Sequence, residues 1–170
     1  ICIHISQVNY IVEGEHESFK NVMPIVPTDR DRRIAEHIIP YIVDGANLQL
    51  GIGSIPNAVG EIIADSGLKD LGMHTELCTD AYLELYRQGK LTNSRKNIDR
   101  GKGVFGCAIG SHELYEWLDD NHGIAAYPLE YVNSPSVIAQ LDNMVSINSC
   151  VAVDLYGQVA AESAGSRQIS

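Results

Sequence analysis

The sequence lacks the features that would direct it to nucleic acid or to a membrane. Acidic residues outnumber basic ones by 22 to 12, for a formal net charge of −10, so no basic face of the kind that nucleic acid or an anionic membrane requires is expected. No apolar run approaches the roughly 20 residues of a membrane-spanning helix, and the first residues show no signal-peptide pattern. A small anionic ligand stays possible, because a few local cations and backbone N–H groups suffice to bind one.

The sequence also has no C-x-x-C pair. Its four cysteines are widely spaced: Cys2, Cys78, Cys107 and Cys150. This spacing predicts reduced thiols in the core of a cytoplasmic protein and argues against a disulfide framework or a zinc site. We therefore expect a cytoplasmic protein without a bound metal.

The two ends of the sequence have the pattern of segments that continue. Residues 1–13 show an apolar, strand-like alternation without an initiator methionine, and the last residues are small, as in a loop. Residues 14–27 are polar, contain two prolines and have no periodicity, which is linker composition. We expect a fragment truncated at both ends, with the end of an N-terminal domain and a linker over 1–27 and one incomplete domain over 28–170.

Predicted strands and helices alternate along this domain. Four predicted helices begin after Thr28, Gly53, Ser111 and Pro135, and a fifth covers residues 80–88. The predicted strands cover residues 48–50, 71–77, 104–109 and 124–127. A hairpin with a core role is predicted to turn at Tyr156-Gly157. The alternation predicts an α/β domain with an open, mainly parallel sheet and flanking helices.

A glycine-rich loop, Gly51-Ile52-Gly53, lies between a predicted strand and a predicted helix. Glycines there let the backbone turn sharply and let a ligand approach the main chain, and Pro56 fits the first helical turn. The exposed N–H groups of such a turn favour negative charge. The pattern is not the dinucleotide fingerprint, because no third glycine follows in register. Taken alone, the loop is either an anion site or a tight turn that binds nothing.

Glu76 ends the next predicted strand, two residues after His74. Ligands bind at the carboxyl ends of strands in open α/β sheets, so Glu76, 23 residues after Gly53, would lie close to the glycine loop if the two strands are neighbours. Taken alone, Glu76 is equally a surface or helix-start carboxylate. His74 is then a solvated or hydrogen-bonded histidine, and the pair is poor support for a metal.

Two further segments allow more than one interpretation. Asn133 stands before Ser134-Pro135, where an asparagine is commonly a helix cap. Basic residues cluster at Arg95-Lys96, Arg100 and Lys102 in this acidic chain. This cluster is predicted to be a solvated loop that could also meet phosphates.

Taken in order, the motifs closely resemble one family. They are GIGSIPNAV, GMHTEL, LTN at 91–93, and YVNSPSVIAQLDNMVSINSCVAVDLYGQVAAES. They resemble the C-terminal domain of the acetyl-CoA hydrolase/transferase family (family I CoA-transferases), most of all the 4-hydroxybutyrate and butyrate CoA-transferases. The resemblance covers nearly the whole chain from about residue 28. Two departures are that Ala152 stands where relatives often have glutamate, and that the family's second glycine-rich loop would follow residue 170.

The resemblance implies roles for individual residues. A glutamate at the position of Glu76 is the family's nucleophile, the backbone N–H of Ile52 belongs to the oxyanion hole, and Asn133 matches an active-site amide that contacts the acyl carbonyl or the glutamyl thioester. The coenzyme A contacts that it implies are Gly51, Ile52, Gly53, Pro56 and Asn57.

The function implied is transfer of coenzyme A between a short-chain acyl-CoA and a carboxylate, through acyl-glutamyl anhydride and glutamyl-CoA thioester intermediates. Coenzyme A thioester is a substrate, and no permanently bound cofactor is expected. The expected partners are the acyl-CoA, a short carboxylic acid, the N-terminal domain of the same polypeptide and further copies of the chain. The 170 residues alone are predicted to bind coenzyme A poorly and to be inactive. Two alternatives stay open: an acyl-CoA hydrolase that uses Glu76, and a non-catalytic nucleotide-binding or assembly domain.

Overall fold

A five-stranded parallel sheet forms the centre of the computed structural model, which describes residues 4–15 and 17–169. The strands are β1 (Asn47–Leu50), β2 (Gly72–Cys78), β3 (Gly103–Ala108), β4 (Ile124–Ala126) and β5 (Met144–Ile147). Their order is β4-β3-β2-β1-β5, and every pairing is parallel. The prediction of a mainly parallel sheet is confirmed, whereas β5 was not predicted.

Six α-helices occur in the described residues. They are α1 (Asp29–Ile38), α2 (Ser54–Asp65), α3 (Asp80–Arg87), α4 (His112–Leu118), α5 (Leu129–Val132) and α6 (Pro135–Ile138). Thr28 caps α1 and Ser111 caps α4, as predicted, because each side-chain oxygen accepts a backbone N–H of the first turn. Helix α5 was not predicted. None of the helices described is long and apolar enough to cross a bilayer.

Tyr82 of α3 forms hydrogen bonds with β1 from within the core. Its side chain is fully buried, and its hydroxyl accepts the Leu50 N–H at 2.8 Å and donates to the Leu48 carbonyl at 3.2 Å. Burial raises the pKa of Tyr82, so the hydroxyl stays protonated and keeps both bonds. The strand that leads into the glycine loop is therefore held by a side chain as well as by its sheet neighbours.

Replacing Tyr82 with phenylalanine is expected to lower the free energy of unfolding by about 1–3 kcal/mol, since a buried donor and a buried acceptor lose their partner. Urea denaturation measures the change. Tyr86→Phe is the matched control on the same helix: Tyr86 is half-exposed, and its ring contact with Trp117 at 5.2 Å survives the change. Equal effects of the two substitutions would contradict the role given to the Tyr82 hydroxyl.

The segment before α1 lies across the carboxyl end of the sheet. The Val22 N–H donates to the Gly110 carbonyl at 2.9 Å, and the Asn57 side-chain amide donates to the Ile25 carbonyl at 2.8 Å. The linker composition predicted for 14–27 fits this irregular backbone. The strand predicted in residues 1–13 is wrong for residues 4–13, which hold only a 3₁₀ turn at Ile5–Gln7; residues 1–3 lie outside the described residues.

The predicted hairpin is present, but its predicted core role is wrong. Strands β6 (Ala152–Val153) and β7 (Val159–Ala160) pair antiparallel around Gly157, whose φ of +82° suits glycine. Leu155 and Tyr156 at its tip are almost completely exposed. Two-residue strands offer no face large enough to pack on the sheet. A second small hairpin, β8 (Ser163–Ala164) with β9 (Arg167–Gln168), follows.

The cysteine prediction is only partly correct. Cys78, Cys107 and Cys150 are free thiols, as expected. Cys78 is buried, but Cys107 and Cys150 are exposed, so a core location is wrong for these two. Cys2 lies outside the described residues.

Candidate active site

Glu76 is an exposed residue near the carboxyl end of the central strand β2, directly after the buried His74 and Thr75. Strands β1 and β2 are neighbours, with Leu48 opposite Met73. The pairing of these two strands ends at this register. The condition on which the sequence predicted that Glu76 lies close to the glycine loop, namely that the two strands are neighbours, is therefore met.

Asn133 lies directly against this carboxylate. Its Nδ2 donates to Glu76 Oε2 at 2.5 Å, a hydrogen bond strengthened by the charge of the acceptor. Its backbone N–H donates to the Leu129 carbonyl at 2.8 Å and so ends α5. The side chain caps no helix, because Ser134 takes the cap position before α6 and α6 has no side-chain cap. Asn133 is nevertheless the C-cap residue of α5, so the capping alternative is correct for its backbone, while its side-chain amide contacts Glu76.

Helix α5 can approach the sheet because Gly106 of β3 has no side chain. A Cβ at Gly106 would lie 2.3 Å from Leu129 Cδ2 and 3.1 Å from the Glu76 carbonyl oxygen. The first of these contacts is too short for any real Cβ atom. Gly106 therefore admits the helix whose end presents Asn133 to Glu76.

Gln49, which also lines the Glu76 cleft, forms an amide pair with Asn148. Gln49 Nε2 donates to Asn148 Oδ1 at 3.0 Å, and Asn148 Nδ2 donates back to Gln49 Oε1 at 2.8 Å. Gln49 borders the cleft together with Ser146, whose hydroxyl also donates to Gln49. A Cβ at Gly51 would lie 2.6 Å from Asn148 Oδ1. The first glycine of the loop is therefore required by close packing against the end of β5.

The glycine loop leaves main-chain donors free. Gly51 donates to the Ile147 carbonyl at 2.8 Å, whereas the N–H groups of Ile52 and Gly53 have no hydrogen-bond acceptor in the part of the chain that is described. Gly53 has φ +126° and begins α2 without a side-chain cap. Ile52 is 62% exposed. The loop thus presents N–H donors at the positive end of a twelve-residue helix, an arrangement suited to a negative oxygen.

The remaining predicted contacts do not line the Glu76 cleft. Pro56 is buried in the first turn of α2, and Asn57 holds the Ile25 carbonyl. Ile52, Gly53 and Asn57 line a mostly apolar cavity beneath residues 22–25. The structure therefore joins Glu76 and Asn133 in one cleft and places Ile52, Gly53 and Asn57 at a separate cavity.

His74 is buried and hydrogen-bonded, one of the two alternatives left open for it. Its Nε2 lies 2.8 Å from the Val132 carbonyl oxygen, and only 1% of its surface is exposed. Burial lowers its pKa, so the ring is neutral and Nε2–H is the donor. Residues 4–15 and 17–169 contain no cluster of three or more His, Cys, Asp or Glu side chains that could hold a metal ion.

Lys96 contradicts the prediction of a solvated basic loop. Only 2% of it is exposed, and its Nζ donates to the carbonyls of Met73, at 2.9 Å, and Lys102, at 2.8 Å. Burial lowers the pKa of Lys96 to about 8, against the opposing effect of Asp99. Lys96 therefore stabilises β2 through its hydrogen bond to the Met73 carbonyl, and its Nζ does not face a phosphate.

This burial makes the stability contribution of Lys96 depend on pH. The ordinary pKa of 10.5 exceeds the folded value of about 8, so between these values the unfolded chain binds a proton that the folded chain lacks. The contribution of Lys96 to the free energy of unfolding is therefore expected to rise with pH across that interval. Denaturant unfolding of the wild type and of Lys96→Met at several pH values isolates it as a difference. A difference that stays constant or falls would contradict the burial of the charge.

The comparisons with known proteins identify the family. Residues 110–170 match the model of the acetyl-CoA hydrolase/transferase C-terminal domain. The Syntrophomonas wolfei protein named "Probable butyrate:acetyl-CoA coenzyme A-transferase" is 52% identical over 99% of this chain and 38% of its own length. The chain belongs to the acetyl-CoA hydrolase/transferase family. The resemblance stated from the motifs is thereby confirmed.

Other relatives of this acetyl-CoA hydrolase/transferase chain agree. The solved structure of a 4-hydroxybutyrate CoA-transferase from Porphyromonas gingivalis superposes with a TM-score of 0.85 and 42% identity, over 92% of this chain and 39% of that one. An acetyl-CoA hydrolase from Candida albicans is 29% identical over 92% of this chain and 31% of its length. The chain thus spans between 31% and 39% of the length of these three relatives.

Proposed function

We propose that this chain is the nucleophile-bearing part of an enzyme that transfers coenzyme A between a short-chain acyl-CoA and a carboxylate. The proposal rests on the exposed Glu76 carboxylate, which accepts a hydrogen bond from the Asn133 amide at 2.5 Å. The neighbouring strand β1 leads into the glycine loop, whose N–H donors at Ile52 and Gly53 are free within the described part of the chain. The names of the relatives support butyrate, acetate and 4-hydroxybutyrate as the acids exchanged. The enzyme acts in the cytoplasm.

The proposed catalytic residues are Glu76, Ile52 and Asn133. Glu76 is the nucleophile, the Ile52 N–H stabilises the oxygen that becomes negative, and Asn133 orients the carboxylate and then the acyl or glutamyl carbonyl. A carboxylate is a weak nucleophile toward a thioester, so preorganised donors are needed where charge develops. The proposed coenzyme A contacts are Gly51, Ile52, Gly53, Pro56 and Asn57; Pro56 acts through the shape of the turn.

The first half of the reaction loads the enzyme. A Glu76 oxygen attacks the acyl-CoA carbonyl, the new C–O bond gives an acyl-glutamyl anhydride, and coenzyme A leaves as the thiolate. The thiolate then attacks the glutamyl carbonyl. A C–S bond forms, the anhydride C–O bond breaks, and the donor acid leaves as its carboxylate.

The second half reverses these steps with the acceptor. Its carboxylate attacks the glutamyl-CoA thioester, forms a new anhydride and expels the thiolate. The thiolate attacks the acceptor's acyl carbonyl, which gives the new acyl-CoA and restores the Glu76 carboxylate. Because the thioester energy is kept in the covalent intermediates, the exchange needs no ATP. Binding of the distant nucleotide part of coenzyme A can be expressed as rate in such a scheme.

The proposed partners are an N-terminal domain of the same polypeptide and further copies of the chain. Glu76 is exposed in this chain, and the N-terminal domain would close the cleft that it lines. The 170 residues alone are predicted to bind coenzyme A poorly and to show no turnover. Measurable transferase activity of the isolated chain would contradict this.

The transfer activity is tested with the full-length polypeptide that contains this chain. Butyryl-CoA is supplied with and without acetate, and acetyl-CoA and free thiol are followed. Acetate-dependent formation of acetyl-CoA with little free thiol is expected. Free thiol released at the same rate without acetate would instead favour the hydrolase, the activity named for the Candida albicans relative. Absence of both products would reject both enzymes.

A further inference from the structure

Two consecutive residues at the end of α5 are attached to two positions of β2. The Val132 carbonyl accepts from His74 Nε2 at 2.8 Å, and the Asn133 side chain donates to Glu76 Oε2 at 2.5 Å. His74 and Glu76 are two positions apart on a strand, so they point to the same face of the sheet. Fixing the Val132 carbonyl also fixes the backbone from which the Asn133 amide reaches the carboxylate.

The geometry excludes His74 as an acid or base of the reaction. Its Nε2 is occupied by a backbone carbonyl, and its Nδ1 is buried with no hydrogen-bond partner within residues 4–15 and 17–169. A proton on Nδ1 would have no acceptor there, which favours the neutral Nε2–H form. The charged groups that act on the ring are Lys96 and Asp99, with opposite effects. His74 can therefore hold a position but cannot exchange protons with a substrate.

A separate contact anchors the rest of α5. The Tyr131 hydroxyl donates to Asp99 Oδ2 at 2.8 Å, and Leu129 packs over Gly106. Because this helix keeps those contacts when His74 is changed, loss of the His74 bond should loosen the end that carries Asn133 more than it detaches the helix. The expected consequence is a misplaced amide in a folded protein.

We propose that His74 is a positioning residue of the transfer reaction, which orients the Asn133 amide on Glu76 through its hydrogen bond to the Val132 carbonyl. The inference rests on the proposed function of Glu76, and it assigns the histidine of the His-Thr-Glu segment to a different task from the glutamate. Two hydrogen bonds then join the end of α5 to β2: Val132 is bonded to His74, and Asn133 is bonded to Glu76. We call this pair of bonds the clamp.

The clamp is tested in the full-length enzyme with His74→Leu and His74→Gln. Leucine removes the donor at similar volume, whereas the glutamine amide can still donate to the Val132 carbonyl. We expect His74→Leu to lower kcat by about 10- to 100-fold, as small misplacements at a site do, with little change in KM for acyl-CoA, and His74→Gln to recover most of kcat. Unchanged kcat in His74→Leu would overturn the proposal. A glutamine variant as slow as the leucine variant would also overturn it, since the imidazole itself would then be needed.

A double-mutant cycle with Asn133→Ala separates positioning from general loss of structure. If His74 acts through Asn133, adding His74→Leu to Asn133→Ala should cost no further kcat, whereas full additivity would overturn the proposal. Failure of the proposed function looks different: the wild type would then form no covalent adduct on Glu76. If the adduct forms on Glu76 at the same rate in His74→Leu, the positioning role alone fails.

The state of the ring is measured without relying on a folded leucine variant. Nitrogen-15 NMR of the full-length protein labelled at histidine, with the His74 signals assigned through His74→Gln, reports which nitrogen carries the proton. The Nε2–H form should persist between about pH 6 and pH 8, where an exposed histidine titrates. A neutral ring with its proton on Nδ1 would overturn the clamp, because Nε2 could not then donate to the Val132 carbonyl.

Discussion

Replacing Glu76 with alanine is expected to abolish coenzyme A transfer and covalent adduct formation while leaving the protein folded. The side chain is exposed, and among residues 4–15 and 17–169 its one hydrogen bond is to Asn133, so its loss should change the free energy of unfolding little. Its removal takes away the only proposed nucleophile. Loss of a covalent nucleophile typically costs kcat at least about 10⁴-fold, and steady-state transfer kinetics of the full-length enzyme measure it.

Two further substitutions serve as comparisons for Glu76→Ala. Glu76→Asp keeps the carboxylate but withdraws it by one methylene, and a displacement of that order is expected to cost about 100-fold. Glu116→Ala removes an exposed glutamate from α4, away from the cleft, and should leave kcat unchanged. Transfer above about one per cent of the wild-type rate in Glu76→Ala would show that another group attacks the thioester.

Replacing Asn133 with alanine is expected to lower kcat by about 100- to 1000-fold, the usual cost of removing one preorganised donor at a reacting carbonyl. The Asn133 amide lies 2.5 Å from the nucleophilic oxygen of Glu76. Without it the Glu76 carboxylate is no longer oriented, and the tetrahedral intermediates lose a hydrogen-bond donor. The loss should fall on kcat rather than on KM for the acyl-CoA. Activity within twofold of the wild type would show that the Asn133 amide does not contribute to catalysis.

Asn133→Asp provides the matched control, because it keeps the shape of the side chain and replaces the donor with a second carboxylate. Two carboxylates at this separation cannot both be ionised, so the pKa of the pair rises. Glu76 must be ionised to attack, and kcat of Asn133→Asp is therefore expected to fall as the pH is lowered through that raised pKa. Asn133→Ala should show no such dependence. Identical pH profiles would argue against contact between residues 76 and 133.

The sheet was predictable because buried parallel strands are short apolar runs that end at glycines or caps, as in Leu48 to Gly51. Strand β5 was missed for two reasons. Its sequence runs on into the polar and β-branched residues of the hairpin, and its partner β1 lies almost a hundred residues earlier. No local pattern encodes such a pairing. The hairpin itself was read correctly from Gly157, but alternation alone does not tell which of its faces, if any, meets a core.

The candidate site was predictable where it depends on strand ends and not where it depends on buried polar groups. Glu76 and the glycine loop follow from the order of strands and from the family resemblance. Lys96 was expected in a solvated loop, and His74 was left as either solvated or hydrogen-bonded. The burial of both depends on carbonyl partners, Val132 and Met73, that are distant in sequence. Gln49 had one usable signal: a polar residue between two buried leucines on a central strand.

The identity of the residue that becomes acylated is the most direct test of this account. The full-length enzyme is incubated with acyl-CoA without an acceptor acid and treated with borohydride, which reduces a glutamyl thioester to an alcohol, or with hydroxylamine; its peptides are then mapped by mass spectrometry. The account predicts modification of the peptide that contains Glu76, and none in Glu76→Ala. Modification of any other residue, or an unchanged adduct in Glu76→Ala, would contradict it.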